Sequence, residues 1–401
     1  MSSGISLAHG RPLVATPGPS VIPDRVLAAM ARPMPNMYAG DIVQVTTGIF
    51  AELPAVAATA GHPFIVIGNG HAAWQMAISN TLSAGDKVLV LESGRFALAW
   101  GNMAALSGVE VEVLPGTDRG PVEPDAVEAR LAADTGHEIR AVLVVQTDTA
   151  TSVRNDIPAI RAAIDAAGHP ALFMVDCIAS LGCDRYEMDA WGVDVTVAAC
   201  QKGLMVPPGI AFVWAGPKAL AAYEIAGLRV GYFDWGPRIA AEEYYLLFAG
   251  TPPISHLFGL HEALALIREE GGLEAVWHRH QVLADAVRAA VTAWSTPGGI
   301  ELNITSPAHR SNAVSTVLTG SIDAYRLAEV CEEQAGLTLG AGIGGFGGRA
   351  FRVAHMGHLS PPMVLGALGT IEASLRSLGA PVAGSGVAAA AQVIGDALIV
   401  G

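Results

Sequence analysis

The sequence predicts an α/β fold: a large unit built on a mostly parallel, doubly wound sheet of seven strands, followed by a smaller C-terminal α+β unit. Three observations carry that expectation. Of the 401 residues 51% are hydrophobic and 15% charged, enough apolar side chains for a large core and far from disordered compositions. Short apolar runs alternate with helix-spaced stretches through the first two-thirds of the chain, as strands linked by crossover helices do. The 46 glycines and 24 prolines supply turns for many short elements.

In chain order, strands are expected at 64–67, 87–91, 109–114, 141–145, 171–175, 193–198 and 210–213. Most are continuously apolar rather than alternating, the signature of strands covered on both faces. Helical spacing fills the gaps at 72–81, 96–107, 124–133 and 158–167. The character changes after Thr251-Pro252-Pro253, where long helices are expected at 255–269 and 273–294. Strands at 313–318 and 350–354 and helices at 322–334 and 361–378 complete the smaller unit, and the tail after Gly379 carries no strong signal. The expected division is an N-terminal arm (1–23), a large unit (24–270) and a small unit (271–401).

Charge and composition exclude several functions. With 23 Lys+Arg against 37 Asp+Glu the formal net charge is −14, which cannot neutralise a run of phosphates, so no nucleic-acid partner is expected. No stretch approaches the roughly 18 apolar residues of a membrane span, so no membrane partner is expected either. Residues 1–20 lack a basic flank followed by an apolar run, which argues against a secretory signal. Cys177, Cys183, Cys200 and Cys331 show no close metal or redox spacing and read as buried free thiols of a cytoplasmic protein.

Ligands on open α/β sheets sit beyond the carboxyl ends of the strands. The run Ala171–Val175 ends in Asp176, an acid whose burial is costly unless a cation or strong donor faces it; a helix cap or structural ion pair is the plainer account. A second apolar run ends in Cys200-Gln201-Lys202, ahead of Gly203 and Pro207-Pro208-Gly209. A lysine with its pKa lowered by burial forms Schiff bases, although most lysines are solvated surface charges. The chain has only Lys87, Lys202 and Lys218. Third, Gly68-Asn69-Gly70-His71 joins a strand to a helix, where free N–H groups suit a phosphate. Each is weak alone. Together they supply what pyridoxal 5′-phosphate (PLP) needs: a phosphate cup, a carboxylate for the pyridine nitrogen and an amine for the aldehyde.

Six strings in order resemble the class V aminotransferases of PLP fold type I, and their alanine/serine/aspartate–glyoxylate branch. They are Pro17-Gly18-Pro19-Ser20; Gly68-Asn69-Gly70-His71-Ala72; Val175-Asp176-Cys177-Ile178-Ala179-Ser180; Gln201-Lys202-Gly203 before Pro207-Pro208-Gly209; Thr251-Pro252-Pro253; and Phe351-Arg352-Val353-Ala354-His355-Met356-Gly357. The resemblance implies Lys202 and Asp176 as catalytic residues and PLP as cofactor. The implied PLP contacts are Asn69, Gly70, His71, Phe96, Thr149, Asp176, Ile178, Gln201 and Lys202, with Thr251 reaching in from a neighbouring subunit. Arg352, Pro19 and Tyr38 are implied on the substrate side, with Arg352 clamping a carboxylate bidentately. The implied reaction is ping-pong transamination through pyridoxamine phosphate, from serine, alanine or aspartate to glyoxylate or a similar 2-oxo acid. A homodimer is implied, with a tetramer left open. A pyridoxamine–pyruvate aminotransferase and a PLP lyase of the same fold are the alternatives.

The sequence also departs from that family. Relatives usually read His-Asn-Glu-Thr-(Ser/Ala)-Thr-Gly where this chain reads Gln146-Thr147-Asp148-Thr149-Ala150-Thr151-Ser152. Because this strand end is expected to face the ring, the changes bear on substrate choice. Phe248 stands where many relatives place a tyrosine that touches phosphate across the dimer, with Tyr244 and Tyr245 as candidate replacements. Gly340-Ala341-Gly342-Ile343-Gly344-Gly345 fits G-x-G-x-x-G but precedes a strand, and is expected to be a flexible loop leading to Arg352. His278/His280 and His355/His358 lack the ligand count of a metal site, so no metal is expected.

Overall fold

The computed structural model describes residues 6–398. Residues 1–5 of the expected arm and 399–401 of the expected small unit lie outside the described residues. Fourteen strands follow in order: β1 (Leu13–Ala15), β2 (His62–Gly68), β3 (Lys87–Leu91), β4 (Glu110–Leu114), β5 (Ile139–Val145), β6 (Thr147–Asp148), β7 (Val153–Arg154), β8 (Leu172–Asp176), β9 (Val195–Ala199), β10 (Gly209–Ala215), β11 (Glu301–Leu302), β12 (Val314–Leu318), β13 (Leu337–Ala341) and β14 (Ala350–Ala354).

Seven of them form the large sheet in the order β2-β10-β9-β8-β5-β3-β4. The pairs β3–β4, β3–β5, β5–β8 and β8–β9 are parallel, and β10 runs antiparallel to both neighbours, β2 and β9. Every residue of β8 and β9 is buried, which is why their sequences read as unbroken apolar runs. One apolar cluster holds Phe173, Val175 and Phe212 on one face; another holds Met174, Val197, Val213 and Trp74 on the opposite face. The sheet is thus sandwiched between helical layers, with its strand ends free to build a site.

A second sheet, in the order β1-β13-β14-β12-β11, carries its own core with Trp294, Phe351 and Leu368. Strand β1, from the expected arm, pairs parallel with β13 at Leu13–Leu337 to Ala15–Leu339. The chain enters the small sheet before it builds the large one.

Several expectations shift. The helix expected at 322–334 runs Ala324–Glu329 and continues as a π-turn, Val330–Gln334. The glycine stretch expected to be a flexible loop begins within β13, where Gly340 and Ala341 pair with Arg352 and Phe351, and a single 3₁₀ turn (Gly344–Phe346) joins it to β14. It opens no long helix, so the dinucleotide fingerprint has no structural context. The tail forms a helix, Gly386–Ala397, packed on the helix Leu273–Trp294.

Candidate active site

Strand β8 delivers Asp176 to the carboxyl edge of the large sheet with 2% of its surface exposed. The indole Nε1 of Trp74 donates to its Oδ2 at 2.8 Å, and the backbone N–H of Ile178 to its Oδ1 at 2.6 Å. Burial disfavours the charged form and pushes this carboxyl up to about 7, against those two donors and the nearby Lys202.

Lys202 follows β9 in the turn after Cys200. Its Nζ donates to the carbonyl of Pro17. Burial, and then the positive charge of Arg352, push its ammonium down to about 8. The Pro17–Ser20 segment lies over this turn: Ser20 N–H donates to Gln201 O at 2.9 Å and Ser20 Oγ to Lys202 O at 2.7 Å. Gly18 sits at φ +99°, and a Cβ there would stand 2.4 Å from Lys202 Nζ, so close approach and backbone conformation both require glycine. The other two lysines are occupied elsewhere, Lys87 with Glu138 and Lys218 with the Ala171 carbonyl.

The third component is the N-terminus of the helix Gly70–Thr81. Asn69 caps it, its Oδ1 accepting from the backbone N–H of His71 at 3.0 Å. A Cβ at position 70 would meet Ile178 Cδ1 at 2.3 Å, so Gly70 lets the helix start close against the Asp176–Ile178 turn. These parts converge on a cavity of about 180 Å³ lined by nine of the residues expected from sequence: Asn69, Gly70, His71, Phe96, Thr149, Asp176, Ile178, Gln201 and Lys202.

Four expected residues lie outside that lining. Arg352, on β14, is partly buried; its Nε donates to Ala341 O at 2.7 Å and its Nη1 to Thr149 O at 3.1 Å. Burial lowers its guanidinium to about 10. Pro19 and Thr251 are exposed. Tyr38 is 68% exposed and meets Tyr245 edge-on at 5.7 Å. Phe248 is buried against Phe50, its ring 6.1 Å away.

The altered Gln146–Ser152 string divides by direction. Thr147 and Thr149 line the cavity. Of the departures from the family pattern, Thr147 faces the cavity, whereas Gln146, Asp148 and Ser152 turn into the protein. Gln146 accepts from Ser180 Oγ at 2.6 Å and donates to Arg185 O at 3.0 Å. Asp148 caps a helix. Ser152 stands at φ +67°, a conformation glycine takes freely, with its Oγ 2.5 Å from Thr316 Oγ1.

Four lining residues escaped the sequence reading: Trp74, Val145, Thr147 and Ala179. Trp74 lies one helical turn beyond His71, its ring 4.3 Å from the imidazole, and that i, i+3 spacing was the signal that could have found it.

The set-aside features are structural. His280 and His355 are fully buried and hydrogen-bonded, to Val276 O and Gly357 N–H in one case and to Asn312 O and Ser315 Oγ in the other. Burial pushes both down to about 3. Among the described residues no group of three His, Cys, Asp or Glu could hold a metal, and all four cysteines are free and buried. No helix among them is long and apolar enough to cross a membrane.

The sequence profile of the family described as aminotransferase class-V matches residues 55–346. A serine–glyoxylate aminotransferase of Methylorubrum extorquens is 40% identical over 96% of each chain. An L-aspartate–glyoxylate aminotransferase of Paracoccus denitrificans is 38% identical over 93% of this chain and 94% of its own. Among solved structures, the pyridoxamine–pyruvate aminotransferase of Mesorhizobium loti superposes with a TM-score of 0.86 at 26% identity, over 97% of this chain and 99% of its own. On the profile match and the near full-length identity, this chain belongs to the class-V aminotransferase family.

Proposed function

We propose that this protein is a PLP-dependent aminotransferase that moves the amino group of a small L-amino acid (serine, aspartate or alanine) to glyoxylate or a similar small 2-oxo acid. One observation carries the reading: Lys202 Nζ, the Asp176 carboxylate and the N-terminus of the Gly70–Thr81 helix converge on a single cavity. The names of the relatives support the substrate class.

The residues fit PLP. The helix N-terminus, with no side chain at Gly70, lets a phosphate come close to the positive end of the helix dipole, although His71 N–H is already held by Asn69 Oδ1 and Ala72 N–H by Asn69 O. Asp176, with no ion-pair partner among the described residues, matches a pyridinium, whose charge would pull the carboxyl back below 7 and hold a proton at the ring nitrogen. Phe96 and Ile178 supply apolar cavity walls. Bound there, PLP supplies an aldehyde carbon for the amino group and a ring that withdraws electrons from the substrate Cα.

Lys202, lowered to about 8, has about a tenth of its amine neutral at pH 7, far more than a lysine at 10.5, which suits it to bond to a carbonyl carbon and to carry the Cα proton. Arg352 keeps Nη2 for a substrate carboxylate while Nε and Nη1 are held by carbonyls. In the same proposal Asn69, His71, Thr149 and Gln201 contact the cofactor, Pro19 and Tyr38 border the substrate, and a homodimer brings Thr251 to the partner's site. It also includes the unit boundaries at 23/24 and 270/271, and the cytoplasm as compartment, on four unpaired buried thiols.

A second reading, pyridoxamine as donor with pyruvate, is favoured by Phe248, which offers no hydroxyl to a phosphate. The glycine turn and cap at 69–71 speak for bound PLP instead. Lys202→Ala protein loaded with PLP is expected to lose full turnover by about three orders of magnitude or more. Turnover at wild-type rate would refute the reading.

A further inference from the structure

Asp148 is fully buried, and burial pushes its carboxyl up against three backbone N–H donors and the positive charge of Arg352, with no ion pair to it among the described residues. Its Oδ2 accepts from the backbone N–H groups of Phe96 (2.7 Å) and Ala97 (3.2 Å), in the first turn of the helix Arg95–Leu106. Its Oδ1 accepts from the N–H of Ala150 at 2.9 Å. The carboxylate is therefore held by a helix N-terminus, which favours negative charge. Gly94 makes room for it: a Cβ there would stand 2.5 Å from Asp148 Cγ, and its φ of +154° disfavours other residues. The two ends of this contact both reach the site. Phe96 and Thr149 line the cavity, and the carbonyl of Thr149 receives Arg352 Nη1 at 3.1 Å.

We infer that Asp148 is a positioning residue, one buried carboxylate that ties the wall carrying Phe96 to the loop whose Thr149 carbonyl anchors Arg352. The inference rests on the PLP reading above. It makes cofactor seating and carboxylate binding depend on a side chain that touches neither ligand. The aspartate in place of the family's glutamate then belongs to the support of the site and not to its substrate-facing surface.

Two variants perturb the contact from opposite sides, Asp148→Asn from the acceptor and Gly94→Ala from the space above it. PLP affinity is measured by titrating cofactor-free protein, and KM and kcat are measured with the loaded enzyme. In both variants the Kd for PLP and the KM for donor and 2-oxo acid are expected to rise about ten-fold, the scale of a lost charge-assisted hydrogen bond, with kcat changing less. A purely structural role would lower the melting temperature and leave both quantities unmoved. Folded variants within two-fold of wild type in Kd and KM would overturn the inference. If Asp148→Asn fails to fold, Gly94→Ala decides alone. Wild-type protein that takes up no PLP would instead bring down the functional reading, and this inference with it.

Discussion

Lys202 and Asp176 are each held away from their ordinary protonation by the same burial, in opposite directions. For Lys202 the consequence is measurable without cofactor. Its folded pKa of about 8 lies below the 10.5 of an unfolded lysine, so the unfolded chain binds more protons between those values. Stability therefore rises with pH through that window, and the cost of burying the charge is complete below pH 8. Cofactor-free Lys202→Met protein should be more stable than wild type at pH 7, by up to about 3 kcal/mol, with the advantage gone near pH 10.5. A pH-independent difference in denaturant melts would contradict this. These two residues were legible because strand-end chemistry is local: an apolar run, then a charge that burial makes costly. Trp74 was not, since a tryptophan inside a helix reads as core, and only the fold shows its indole N–H turned to Asp176. Asp148 was legible as a departure and misread in direction, because an inward cap and a ring-facing group share the same string.

At the scale of elements, the long buried strands were visible because continuous apolar runs of that length have few other structures open to them; their ends slip by a residue or two. What escaped draws its stability from partners distant in sequence. Strand β1 has three residues and exists by pairing with β13. Strand β13 runs through Gly340 to Ala341, and the missing side chain at Gly340 reads as loop until Pro17 is seen against it, 2.6 Å from where a Cβ would lie. The helix Gly386–Ala397, rich in alanine, is placed by Trp294 and by Glu372, whose Oε2 accepts from the Gly386 N–H at 2.8 Å. The element that matters most for function is the Gly70–Thr81 helix, because its N-terminus must approach Ile178. Gly70→Ala should displace that end and weaken PLP binding about ten-fold, with a stability loss of about 1–3 kcal/mol. Unchanged PLP titration in the folded variant would show that the helix start is not the phosphate cup.

Taken whole, the molecule places its cavity at the carboxyl edge of the large sheet, and the small sheet reaches it through Arg352 on β14. The arm contributes to both ends, pairing β1 with the small sheet and laying Pro17–Ser20 over Lys202. Thr251 and Tyr38 face outward, away from the cavity lining, which accords with a site completed by a second copy. Sedimentation velocity is expected to give twice the chain mass, and Thr251→Ala to weaken PLP binding without changing that mass. A single-chain mass in an active enzyme would remove the partner's role.

The most direct test of the account is the absorbance spectrum of the PLP-loaded protein, recorded before and after L-serine, L-aspartate or L-alanine is added, and again after glyoxylate. The account predicts that a long-wavelength band is bleached by at least one of these donors and restored by glyoxylate, and that Lys202→Ala protein does not complete the cycle. Protein that holds no PLP, or whose band responds to none of the three donors, would contradict it.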